Sequence, residues 1–158
     1  MSPRKCLAFA IALAAAGPGA LAQENPAARR SAADLGMLAG FWNGANLENR
    51  SGCTTPGVNG IHGTYAQYLI GWNAISKNLT ITENTVTSLS CTYAGFAVDD
   101  ERLRPGWSGA FNCSDGKRGT FQSTSFLISP TEMQVRLQIK LESPELCDID
   151  SILGGSRF

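Results

Sequence analysis

The chain has 158 residues, 13 Lys and Arg against 13 Asp and Glu, five cysteines and a single histidine. A chain of this size is expected to form one domain, and a formal charge of zero without a basic stripe argues against nucleic acid as a partner. No stretch holds the roughly 20 apolar residues that a membrane-spanning helix needs.

The first segment reads as an export signal. Met1-Ser2-Pro3-Arg4-Lys5 is positively charged, Cys6 to Ala16 is an apolar run of 11 residues, Gly17-Pro18-Gly19 breaks it, and Ala20-Leu21-Ala22 places small residues two apart. This is the three-part pattern of a secretory signal peptide over residues 1–22. Its alanine-rich, bacterial character predicts a periplasmic or secreted product beginning at Gln23. Arg4 and Lys5 leave with the signal, so eleven basic residues face 13 acidic ones and the net charge becomes −2. Residues 23–36 read as a flexible leader with a helical turn near Asp34, and residues 37–158 as a single β domain.

From there the pattern is β almost throughout. Leu38 to Leu47 forms a first strand, and Ser51 to Gly63, with Gly52, Pro56, Gly57, Gly60 and Gly63, reads as a long loop. Thr64 to Trp72 alternates, with Tyr65, Gln67 and Leu69 on one face and Ala66, Tyr68, Ile70 and Trp72 on the other. Asn78–Glu83 and Thr85–Tyr93 are rich in Thr, Val and Leu. Asp99-Asp100-Glu101 marks a loop. Gly106–Cys113 puts Trp107, Phe111 and Cys113 on one side, and Asp115-Gly116 is the strongest hairpin turn in the chain. Thr120–Ser129 follows. In Met133–Leu141, apolar residues alternate with Gln134, Arg136, Gln138 and Lys140, the clearest half-buried strand. Cys147–Leu153 is the last. About eight strands joined by short turns predict an all-β, antiparallel up-and-down barrel, with a β-sandwich as the alternative. The barrel is preferred because closure removes exposed edges, and eight strands enclose room for side chains or one small ligand.

With Cys6 removed, Cys53, Cys91, Cys113 and Cys147 remain, an even number that reads as two disulfides in an exported chain. Cys91–Cys113 is favoured because both lie on strands that can be neighbours, leaving Cys53–Cys147. Cys53–Cys91 with Cys113–Cys147 stays open. No C-x-x-C pair occurs, so neither a metal site nor a cofactor is expected.

Gly40-Phe41-Trp42 resembles the G-x-W at the start of calycin barrels, the lipocalins and avidins. Gly63-Thr64-Tyr65 and Trp107-Ser108-Gly109 resemble words on the avidin side of that superfamily, and Leu153-Gly154 with Phe158 its ending. The resemblance implies an eight-stranded barrel whose open end holds a small molecule, with Trp42, Tyr65 and Trp107 lining that end. Where avidins contact the ureido group of their ligand, this chain carries Gly44, Gln67 and Ser156. Three tryptophans in a chain of this size also suit a barrel core.

Catalysis finds little footing. A Ser or Cys nucleophile needs a base, and His62 stands in a glycine-rich loop without a nucleophile motif. Glu48, Glu83, Asp99, Asp100, Glu101, Asp115 and Glu132 are present, but nothing in the sequence pairs them. No enzyme is expected. Two functions remain. One is a barrel that binds a small apolar or aromatic ligand. The other is a module that binds an extracytoplasmic protein, such as a periplasmic lysozyme or protease inhibitor or a surface adhesion factor. The second would use the Ser51–Gly63 loop, with Thr54, Thr55, Asn59 and His62 exposed.

Overall fold

The structure, a computed structural model, describes residues 32–98 and 106–157. The signal peptide, most of the expected leader and the Asp99-Asp100-Glu101 loop lie outside the described residues. Eight strands follow in chain order: β1 (Gly40–Ser51), β2 (Gly60–Asn73), β3 (Asn78–Thr85), β4 (Ser90–Val98), β5 (Gly106–Cys113), β6 (Arg118–Ile128), β7 (Glu132–Ser143) and β8 (Cys147–Ser156). Each pairs antiparallel with the next, and β8 pairs with β1, so the sheet closes on itself as an up-and-down barrel. The sandwich alternative is thereby set aside. Among the described residues no helix is long and apolar enough to cross a membrane.

The period-two pattern sets which side chains go inside. Met133, Val135, Leu137, Ile139 and Leu141 are buried along β7, while the residues between them are exposed. An aromatic cluster fills one side of the interior. Tyr93 stacks on Phe111 with ring centroids 5.4 Å apart, and Phe121 lies 4.3 Å from Trp107. Closing so small a barrel needs sharp bends, and glycine supplies them. A Cβ at Gly44 would lie 1.8 Å from the Gly154 carbonyl oxygen, and one at Gly119 would lie 1.9 Å from that of Lys140. No side chain fits at either place, which is why the position two beyond Trp42 is glycine.

Several boundaries differ from the sequence expectation. A 3-10 helix spans Ala32–Leu38 and takes in residues assigned above to the leader. Leu35 and Leu38 are completely buried, and that burial draws the segment onto the barrel. The long loop shrinks at both ends, because β1 extends to Ser51 and β2 begins at Gly60. Only residues 52–59 remain, including a 3-10 turn at Pro56–Val58. The fourth strand starts at Ser90 instead of Thr85. Thr85 N–H donates to the Leu89 carbonyl, and Ser88 takes a left-handed φ of 64°. These features belong to a tight turn that residue alternation does not reveal.

Candidate functional site

The two ends of the barrel are built differently. At the end where β1 begins, the Trp42 Nε1–H donates to the Leu38 carbonyl at 2.7 Å. The Arg157 guanidinium lies over the Trp42 ring, 4.1 Å from its centroid, and donates to the Met37 and Ala39 carbonyls. Trp107 is also fully buried, its Nε1–H bonded to the Leu79 carbonyl at 3.1 Å. Tyr65 pairs with Ala45 on the opposite face of the sheet and is 75% exposed. The three aromatics expected to line one open end therefore do not meet. Both tryptophans belong to the core, as their size and apolar surface dictate, and Tyr65 stands on the outer wall. The alternation in β2 already separates Tyr65 from Tyr68, but the G-x-W resemblance pulls the other way.

The opposite end carries both disulfides, Cys53–Cys147 and Cys91–Cys113. The second joins residues directly opposite one another on β4 and β5. Beneath this end runs a line of polar side chains pointing into the barrel. Arg50 donates twice to Glu48 Oε2, at 2.8 and 2.7 Å. Asn46 Nδ2 donates to Glu48 Oε1 at 3.2 Å and to Glu83 Oε2 at 3.3 Å. Ser151 Oγ donates to Asn46 Oδ1 at 2.8 Å, and Tyr93 OH reaches Glu83 Oε2 at 3.5 Å. Asn46, Glu83 and Ser151 are each at most 4% exposed.

Two polar atoms in this group have no hydrogen-bond partner in the protein: Glu83 Oε1 and Tyr68 OH. Tyr68 and Glu83 face each other across β2 and β3. Burial pushes the Glu83 carboxyl up to about 7; the Asn46 and Tyr93 hydrogen bonds oppose the rise, and the neighbouring Glu48 adds to it. Burial also pushes the Tyr68 and Tyr93 hydroxyls up, with the charges of Glu83 and Glu48 contributing. Both therefore stay protonated at neutral pH and remain able to donate. Sequence reading places Glu48 and Glu83 among scattered carboxylates. Only closure of the barrel brings them, together with Asn46, Tyr68, Tyr93 and Ser151, to one place. The available signal is a polar residue at an inward position of an otherwise apolar strand, as in Leu79-Thr80-Ile81-Thr82-Glu83.

Residues 52–59 lie over this end. Thr54 N–H donates to the Leu146 carbonyl, Cys53 N–H to Asn59 Oδ1, and Asn59 Nδ2 to the Pro56 carbonyl. Val58 is partly buried against the core. Thr54, Thr55, Asn59 and His62 are all exposed, as expected, and the Asn59 side chain also folds the loop. His62 is on β2, opposite Glu48, and its Nε2 lies 3.0 Å from the Val58 carbonyl. Among the described residues no group of three or more His, Cys, Asp or Glu side chains is placed to hold a metal ion.

The outer wall carries a groove of about 1240 Å³ lined by Tyr65, and a second of about 610 Å³ across β6, β7 and β8.

No family model matches the chain, and no curated protein matches it significantly. Several solved structures are similar in fold. A redesigned β-barrel shares 13% identity over 82% of this chain and 96% of its own, with a TM-score of 0.49. A protein of unknown function from the DUF3598 family of Nostoc punctiforme shares 13% identity over 86% of this chain and 53% of its own, with a TM-score of 0.44. EF1p2_mFAP2b bound to DFHBI shares 9% identity over 78% of this chain and 98% of its own, with a TM-score of 0.42.

Proposed function

We propose that this chain is an exported β-barrel that binds a small molecule through the polar line inside its disulfide-bridged end. The observation that carries the proposal is the facing pair of buried, unpartnered groups, Glu83 Oε1 and Tyr68 OH. About nine in ten buried polar groups in proteins find a partner, and leaving one unmade costs roughly 1–3 kcal/mol. Two such groups opposite each other suit a ligand that donates to the carboxyl and presents an apolar or aromatic body to the neighbouring Tyr93 and Phe111. The two disulfides fit an oxidising compartment. The G-x-W resemblance to calycin barrels agrees with a Trp42 that seals the far end. The proposed role is binding.

Native mass spectrometry of the protein purified from its own exported fraction tests this reading. A small-molecule adduct that leaves on denaturation, and that Glu83→Gln with Tyr68→Phe removes, is the expected result. A protein that flies without adduct, and whose melting temperature no added extract of small molecules raises, overturns it.

A second reading rests on a separate observation. Thr54, Thr55, Pro56 and Gly57 are exposed on a loop anchored by Cys53 and by Asn59, so little entropy is lost when the loop meets a partner protein. Loss of partner capture in Thr54→Ala with Thr55→Ala, at unchanged stability, would favour it.

A further inference from the structure

We propose that the outer-wall groove around Tyr65 is a binding site for a neutral carbohydrate, distinct from the interior site. Two outward-facing rows cross there, one over four adjacent strands and the next over five. One row runs Gln134, Gly154, Ala45, Tyr65; the next runs Glu132, Ser156, Asn43, Gln67, Asn84. Gly154 and Ala45 form a floor without bulk, and Tyr65 and Gln134 stand on either side of it. The groove is about 1240 Å³, large enough for several sugar rings.

The chemistry of the lining selects the ligand by elimination. Among the described residues of the lining Glu132 is the sole acidic or basic side chain, so an anionic ligand finds no countercharge and a cationic one finds a single carboxyl at the groove's edge. A purely apolar ligand would desolvate Asn43, Gln67, Asn84 and Gln134 without replacing their hydrogen bonds with water. An amide both donates and accepts from one planar group, as a hydroxyl does, so a row of amides matches a row of sugar hydroxyls. Gln67 Nε2 donates to Asn43 Oδ1 at 3.0 Å, which fixes the pair before any ligand arrives. That leaves Asn43 Nδ2 to donate outward and Gln67 Oε1 to accept. The face of Tyr65, 75% exposed, offers its π surface to the C–H face of a pyranose ring. The other outer groove makes the contrast: Lys140, Asp148 and Asp150 line it, and Asp150 is paired with Arg136.

Titration of the disulfide-bonded protein with maltotetraose, cellotetraose and chitotetraose, followed by nuclear magnetic resonance of the side-chain amides, tests the site. One of the three is expected to shift the Asn43 and Gln67 side-chain resonances. Tyr65→Ala is expected to weaken that binding about tenfold, the scale of one lost aromatic contact. Gly154→Val should abolish it by filling the floor. A Cβ at Gly154 finds no closer atom than the Ala45 carbonyl oxygen at 4.0 Å, so the barrel accepts the side chain. Because the resonances are read on the unaltered protein first, the result does not hang on the variants folding. If none of the three sugars shifts these amides, or if binding survives both substitutions, the proposal is overturned. A neutral tetrapeptide that shifts the same amides more strongly than any sugar overturns it in favour of a peptide ligand. Neither substitution touches Glu83 or Tyr68, so loss of sugar binding with retention of an interior ligand separates this site from the first.

Discussion

The two ends of the barrel are closed by different physics. The 3-10 helix end is shut by apolar burial: Leu35, Leu38 and Trp42 are wholly buried, and Arg157 covers the Trp42 ring. The opposite end is tied by covalent bonds above a polar line that leaves Glu83 Oε1 and Tyr68 OH without partners. Had stability been the sole requirement, the apolar solution would have served at both ends. Replacing buried polar groups with hydrophobic ones of similar shape is often neutral or stabilising. The disulfide end thus combines two cross-links with a buried polar line where the other end uses apolar burial.

Breaking the cross-links should have the largest effect. Replacing Cys53 and Cys147 by serine reopens a loop of 94 residues, for a loss of about 4–5 kcal/mol on the chain-entropy model. The Cys91–Cys113 bridge closes 22 residues and should be worth about 3 kcal/mol. Urea unfolding of each pair variant gives both values, and equal losses would point away from loop closure as the source. At the other end, Trp42→Ala should cost about 3–5 kcal/mol through lost burial and an unfilled cavity. A loss below about 1 kcal/mol would mean that the 3-10 helix does not depend on the tryptophan.

The Glu83 carboxyl sharpens the comparison through pH. Its folded value, about 7, lies above the ordinary carboxyl value of 4.5, so the folded state holds its proton more tightly than the unfolded chain. The favourable contribution is fully present below about 4.5 and is lost as pH rises toward 7, on the order of 3 kcal/mol across the window. The stability difference between the wild type and Glu83→Gln, measured by urea unfolding from pH 4 to 8, should follow that decline. A difference that stays flat would show that the carboxyl titrates normally. The smallest effect is expected for Arg157→Leu. It removes the cation over Trp42 and the donor to two carbonyls while keeping an apolar cover, and should cost about 1–2 kcal/mol, read from the same unfolding curves.

Much of the architecture was legible because strand alternation is a local property. Both faces of β2 and of β7, the Asp115-Gly116 turn and the count of eight strands follow from neighbouring residues alone. The favoured cysteine pairing was legible as well, since Cys91 and Cys113 lie on strands that a meander sets side by side. A helical turn near Asp34 was legible, but not its extent over Ala32–Leu38 or its docking on the barrel. Its stability comes from Leu35 and Leu38 entering a barrel end that does not exist until the sheet closes. The turn at Thr85–Leu89 was hidden in the same way, inside a run rich in Thr, Val and Leu that reads as strand.

The candidate sites divide along the same line. By itself the sequence determined the strands, the inward and outward faces and the cysteines available for bridging, because each depends on residue type and spacing two apart. Tertiary structure alone decided that Asn46, Glu83, Tyr68 and Ser151 share one interior, and that Gly154, Ala45 and Tyr65 share one groove. Those neighbours come from strands far apart in the chain: Asn46 and Ser151 are 105 positions apart, and Ala45 and Gly154 meet across the same two strands. Their meeting is fixed by the register and closure of the whole sheet, which no local pattern encodes.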